Sequence, residues 1–113
     1  MPYISVTIGK KLEAAQKQKL ASELCRLITI IPGKTGPDLI THICDGGALF
    51  SGDKAVPSAY IDLRVYTKTT EEAKKRFTHE TCAYIAKEFD IPVKQQYLTI
   101  AEFENWGYDG EWH

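Results

Sequence analysis

Residues 2 to 8, PYISVTI, alternate between apolar and polar side chains, so that Ile4, Val6 and Ile8 fall on one face of an extended chain. Such alternation is typical of a strand with one buried face. Residues 59–66 alternate in the same way, and the segments 39–44 and 96–102 have a strand-like composition. The sequence therefore predicts four strands.

Two helices are predicted between these strands. In residues 11–30 the large apolar side chains recur every three or four positions and form one buried stripe. Pro32 ends this helix, because proline disfavours helical geometry in the residue before it. We expect a capping box of Thr69 and Glu72 to open the second helix, which runs to about Phe89.

The two halves of the chain resemble each other. The segment YISVT from Tyr3 is echoed by YIDLRV from Tyr60, and further pairs in the helices keep this offset of 57 residues. IPGK after the first helix corresponds to IPVK after the second, with an offset of 60. We therefore expect a single domain over residues 1–113, with repeated units at about 2–46 and 59–103.

The order of elements predicts the fold class. Each half has the order strand, helix, strand, and such a unit gives parallel strands through a right-handed crossover. We expect an α/β two-layer sandwich from this duplicated β-α-β unit, with a four-stranded mixed sheet and both helices on one face. The other face of the sheet would stay uncovered in a chain of this size, which favours oligomerisation.

Composition and charge narrow the function classes. The 113 residues are 43% hydrophobic and 26% charged, with a formal net charge of −1. Because no basic cluster is present, we expect no nucleic-acid partner. No apolar run approaches the roughly 20 residues of a membrane span, and the N-terminus lacks the pattern of a signal peptide. No membrane partner is therefore expected.

The three cysteines and three histidines give no sign of a metal site. Cys25, Cys44 and Cys82 lack CxxC spacing, and no pair of histidines has ligand spacing with a cysteine or carboxylate. An odd number of cysteines fits reduced thiols in a cytoplasmic protein. We expect a cytoplasmic location and no metal.

The most reactive group that the sequence suggests is at its start. An initiator methionine is removed when the next side chain is small, as that of Pro2 is. Removal would leave Pro2 as a free secondary amine at the start of a strand, which is a possible catalytic base. The alternative is an ordinary proline at a strand start.

Three stretches resemble a known family. They are MPYISVT at the start, GKTGPDLITHICDGGALFSGDKAVPSA in the middle and YLTIAEFENWGYDG near the end. In this order, together with the repeat, they resemble the tautomerase superfamily, and within it the branch of macrophage migration inhibitory factor and dopachrome tautomerase. The resemblance implies a homotrimer with active sites at subunit borders, no cofactor, and Pro2 as the catalytic base.

The resemblance also implies the residues that bind substrate. Lys34 would bind the carboxylate or carbonyl oxygen of a 2-oxo acid such as phenylpyruvate and would keep the pKa of the proline low. Its alternative is a solvated lysine at the end of the first helix. Tyr66 would form a pocket wall near Pro2, and Tyr97 would enter the pocket of a neighbouring subunit. Packing at the sheet edge is the alternative for both tyrosines.

Arg64 has two readings of equal weight. It could bind a substrate carboxylate with two hydrogen bonds. Asp62 lies two residues away on the same strand face, so an ion pair at a subunit interface is the alternative.

The chain also departs from related sequences. The family's Pro-Cys-x-x-Cys stretch reads PSAYI here, its pocket Asn is Thr99, and Tyr66 and Thr69 stand where the dehalogenases of the superfamily have an arginine pair.

From the resemblance as a whole we expect a keto–enol tautomerase. The alternatives are a hydratase, decarboxylase or dehalogenase on the same scaffold, or a non-enzymatic, cytokine-like interaction protein.

Overall fold

The structure, a computed structural model, describes residues 1–113. A sheet of four strands carries two helices on one face, as the sequence predicts. The elements are β1 (Pro2–Ile8), α1 (Ala14–Leu27), β2 (Ile40–Asp45), β3 (Ala59–Tyr66), α2 (Glu71–Phe89) and β4 (Gln96–Phe103), followed by a hairpin of β5 (Gly107–Tyr108) and β6 (Glu111–Trp112). Neither helix has the length and apolar character that crossing a bilayer requires.

The sheet is mixed, with strand order β2-β1-β3-β4. β1 pairs in parallel with β2 and antiparallel with β3, and β3 pairs in parallel with β4. Pro2 of β1 pairs with Val65 of β3, and Val65 pairs in turn with Glu102 of β4, so the three residues form one row across the sheet. The start of β1 and the ends of β3 and β4 therefore lie at the same end of the strands, here called the Pro2 edge of the sheet; the other end of these strands is the opposite edge.

Alternation along the strands separates the two faces of the sheet. Ile4, Val6 and Ile8 of β1 are fully buried under the helices, with Leu24 of α1 and Phe77 of α2 in the same cluster. Burial of each such side chain stabilises the fold by about 1.5–3 kcal/mol relative to its exposed state. The other face, here called the outer face, carries partly exposed aromatic and polar side chains.

Both helices start later than predicted and α1 also ends earlier, whereas α2 ends at Phe89 as predicted. α1 begins at Ala14 after a capping box formed by Glu13 and Gln16, and residues Ile28–Ile30 form a short 3₁₀ helix. The predicted capping box of Thr69 and Glu72 is wrong. The N-cap of α2 is Thr70, whose hydroxyl accepts a hydrogen bond from the Ala73 N–H at 3.1 Å.

Candidate active site

The start of β1 disfavours a charged amine. Pro2 is buried, and the N–H of Tyr66 donates to the carbonyl of Met1 at 3.4 Å. The pKa of the Met1 α-amino group is lowered, first by burial and then by the nearby Lys34 ammonium, while Asp38 acts in the opposite direction. Pro2 itself is joined to Met1 by an amide, so its nitrogen becomes basic only when Met1 is removed.

Lys34 lies beside this amine. It follows Gly33, which has a φ of +79°. Glycine adopts this left-handed backbone conformation without a steric penalty, because it has no Cβ atom. The Lys34 ammonium donates a hydrogen bond to the Tyr66 carbonyl at 2.7 Å. The structure thus places Pro2, Lys34 and Tyr66, three of the five predicted site residues, at one edge of the sheet.

Arg64 lies on the outer face. It pairs with Tyr3, and this pair is next to the pair of Pro2 and Val65. Its guanidinium donates to the Asp62 carboxylate at 3.2 Å and lies 5.9 Å from the centroid of the Tyr3 ring. A single guanidinium N–H group contacts Asp62, and the Arg64 side chain is 52% exposed. Arg64 therefore has further donors free for a ligand.

An open aromatic cavity of about 440 Å³ borders Arg64 and Tyr3. Phe103, Trp106 and Trp112 line it. The ring centroids of Phe103 and Trp106 are 5.8 Å apart, and those of Tyr66 and Trp106 are 6.5 Å apart. The cavity therefore adjoins the edge that holds Pro2 and Lys34.

The C-terminal hairpin builds one wall of this cavity. The backbones of Trp106 and His113 exchange two hydrogen bonds of 3.1 and 2.9 Å, and the Asn105 side chain donates to the His113 carbonyl at 3.1 Å. The sequence did not lead us to predict Phe103 or Trp112 as cavity residues. The one signal in the sequence was the density of aromatic residues there.

Tyr97 lies at the opposite edge of the sheet. It pairs with Tyr60, five residues along β3 from Val65, which corresponds to about 17 Å of strand. Tyr97 is 74% exposed and borders a second cavity of about 370 Å³, together with Phe50 and Lys94. Within one chain, Tyr97 is therefore not brought to Pro2.

Metal-ligating side chains do not converge in the structure. No group of three or more His, Cys, Asp or Glu side chains is arranged to hold a metal ion. Cys25, Cys44 and Cys82 are free thiols. Burial raises the pKa of Cys82, which reduces its thiolate fraction.

The sequence was compared with protein families and with individual known proteins. No protein-family model matches the chain. The chain is 26% identical over 93 residues to macrophage migration inhibitory factor of Xenopus tropicalis, a match that covers 80% of this chain and 81% of that protein.

Two solved structures share this fold over nearly the whole chain. Leishmania major MIF2 has a TM-score of 0.91 at 19% identity, covering 100% of this chain and 97% of that one. A wild-type fused 4-OT, described as an asymmetric trimer, has a TM-score of 0.84 at 18% identity, covering 96% and 94%. The chain has the α/β fold that MIF and 4-OT proteins share, and its predicted resemblance to the tautomerase superfamily, with macrophage migration inhibitory factor as a relative, is confirmed.

Proposed function

We propose that this protein is a cofactor-independent keto–enol tautomerase, with Pro2 as its general base once Met1 has been removed. The observation that carries the proposal is the environment at the start of β1. There, burial and the Lys34 ammonium lower the pKa of the Met1 α-amino group, and we infer that they act in the same way on a Pro2 amine one residue further along the strand. A general base works best when its pKa lies near the working pH. The likeness to macrophage migration inhibitory factor and the MIF-like fold also support a MIF-like tautomerase.

The reaction needs only proton transfers. The neutral Pro2 nitrogen removes a proton from the carbon next to the substrate carbonyl, and the electron pair of that C–H bond forms the enol double bond. Negative charge that develops on the carbonyl oxygen is stabilised by the Lys34 ammonium. The protonated amine then delivers the proton to oxygen, so the substrate is isomerised and the amine is regenerated.

The substrate class we propose is a 2-oxo acid with an aryl group, such as phenylpyruvate. Lys34 and Arg64 supply cations for the carboxylate and the carbonyl oxygen. The cavity lined by Phe103 and Trp106 offers aromatic surface to the aryl group. Tyr66 lies against Trp106 and would form the wall nearest the base.

We further propose that the active unit is a homotrimer in the cytoplasm. The uncovered outer face with its exposed Tyr97 supports assembly, and a fused 4-OT of the same fold is described as a trimer. Assembly would bring the Tyr97 of one copy to the Pro2 edge of the next. The three free thiols support a reducing compartment.

A cytokine-like interaction protein is the second candidate. It is favoured by the match to macrophage migration inhibitory factor. Such a function would not depend on a free Pro2 amine, and it would persist in protein that retains Met1.

The test is turnover of phenylpyruvate by protein whose loss of Met1 has been confirmed by mass. We expect keto–enol conversion in this form and its loss in the form that retains Met1, because an amide nitrogen is not a base. Pro2→Ala should lower kcat/KM by about 100-fold or more. Equal activity in all three forms would contradict the proposal, and no activity in any of them would favour the interaction protein.

A further inference from the structure

The Glu102 carboxylate joins the end of β4 to the connection between β3 and α2. It accepts a hydrogen bond from the Thr69 N–H at 2.6 Å and another from the Lys74 ammonium at 3.0 Å. The side chains of Lys74 and Glu102 are only 25% and 20% exposed. We call these contacts of Glu102 with Thr69 and Lys74 the Glu102 clamp.

The Glu102 clamp keeps its charge at neutral pH. The Thr69 hydrogen bond, and after it the Lys74 ammonium, stabilise the carboxylate and lower the pKa of Glu102. The other charged groups near the pair are Glu71, which lies 3.4 Å from the Lys74 ammonium, and Lys68, which also lowers the pKa of Glu102.

The segment that the clamp holds is strained. Thr67 has a φ of +70°, a left-handed conformation that is a genuine outlier for a β-branched residue. Such a residue persists only where its surroundings hold it. Here the Thr67 N–H donates to the Phe103 carbonyl at 2.8 Å on one side, and the Glu102 clamp fixes Thr69 two residues later.

This strained segment begins at the candidate active site. The residue before Thr67 is Tyr66, whose carbonyl accepts the Lys34 ammonium at 2.7 Å. A displaced Tyr66 carbonyl would remove the hydrogen bond that orients this ammonium. Lys34 could then move away from the N-terminal amine.

We propose that Glu102 is a positioning residue for the base: by holding the segment from Thr67 to Thr69, it keeps Lys34 beside the N-terminal amine. This role rests on the proposed function. Glu102 acts through Tyr66 and Lys34. It lies two strands from Pro2 in the same residue row, about 10 Å away. Burial, Lys34 and Asp38 shift the pKa of the Met1 amine, and Glu102 is not among the causes.

The chain contains a matched control at the other edge of the sheet. Asp45, at the end of β2, accepts a hydrogen bond from the Leu12 N–H at 2.6 Å and pairs with the Lys17 ammonium at 3.2 Å. The three residues lie 57 positions before Glu102, Thr69 and Lys74, respectively. The pKa of Asp45 is lowered, and the Leu12 hydrogen bond is again the largest cause. Asp45 therefore makes the same kind of contact far from the N-terminal amine.

The experiment compares Glu102→Ala and Glu102→Gln with Asp45→Ala and Asp45→Asn, all in protein that has lost Met1. The first readout is the pH profile of kcat/KM, whose acidic limb reports the pKa of the catalytic base in the enzyme without substrate. The second is the pKa of the Pro2 nitrogen, followed by NMR of ¹⁵N-proline-labelled protein without substrate. Urea unfolding shows whether each variant is folded.

We expect the pKa of the Pro2 amine to rise by about half a unit in Glu102→Ala, which corresponds to about a threefold loss of kcat/KM on the acidic limb. Glu102→Gln should raise this pKa less, because its amide oxygen can still accept the Thr69 N–H. The Asp45 variants should lose stability with the pKa unchanged.

An unchanged pKa in folded Glu102→Ala and Glu102→Gln would overturn the proposal, as would an equal rise in the Asp45 variants. If neither Glu102 variant folds while the Asp45 variants do, Glu102 is structural and the proposal fails. Lack of turnover in the parent protein would instead count against the proposed function. The NMR titration would still decide the role of Glu102 in that case.

Discussion

At the scale of residues, the candidate site depends on where two cations lie. The Lys34 ammonium is held by the Tyr66 carbonyl beside the N-terminal amine, whereas Arg64 faces the aromatic cavity on the outer face. Arg64 contacts Asp62, but it also keeps donors free for a ligand. Geometry in one chain is thus compatible with both readings of Arg64.

Substitution of Arg64 separates the two readings. If Arg64 binds the substrate away from the reacting carbon, Arg64→Gln should raise KM for phenylpyruvate about tenfold or more with kcat little changed, since a charge-assisted hydrogen bond is worth about 1.5–3 kcal/mol. Asp62→Asn, which frees the guanidinium, should leave KM unchanged or lower it. Unchanged KM in Arg64→Gln, with weaker assembly in both variants, would identify an interface pair instead.

At the scale of elements, the strands were predictable because their signal is local. Alternation with a period of two fixes both the extent of β3 and the face that it buries, and the predicted bounds 59–66 agree with the structure. The start of α2 was not predictable in the same way. The Thr69 N–H, which the predicted capping box would have bound to Glu72, is taken by Glu102 from β4.

The same distinction explains what was missed at the site. Pro2, Lys34 and Tyr66 were predicted through the family resemblance. Pro2 and Tyr66 lie at one edge because β1 and β3 pair antiparallel, and the Lys34 ammonium is joined to that edge by its hydrogen bond to the Tyr66 carbonyl. Phe103 and Trp112 were missed because they share a cavity only after the short hairpin that contains Trp112 has folded back toward Phe103. No periodicity in such a short segment shows where it packs.

At the scale of the whole molecule, one chain contains only part of the proposed site. Pro2 and Tyr97 lie at opposite edges of the sheet, and Tyr97 is 74% exposed. If both act in one site, they must come from different copies. A closed ring in which the Tyr97 edge of one copy meets the Pro2 edge of the next satisfies this condition.

A mixing experiment tests this arrangement. Sedimentation should give a mass three times the 12.7 kDa of the chain. When Pro2→Ala and Tyr97→Ala subunits are refolded together, roughly a quarter of the sites should combine an intact Pro2 with an intact Tyr97 from the neighbouring copy. Activity should therefore exceed that of either variant alone. A monomer, or a mixture no more active than its components, would contradict the arrangement.

The most direct test of the account is the pKa of the Pro2 nitrogen in protein shown by mass to have lost Met1. Titration of ¹⁵N-proline-labelled protein by NMR measures it without any assumption about the substrate. We predict a value clearly below the usual 8 or so of an α-amino group, and a higher value in Lys34→Gln, because burial and the Lys34 ammonium already lower the pKa of the Met1 amine next to Pro2. A Pro2 pKa at or above 8 that does not respond to Lys34→Gln would contradict the account.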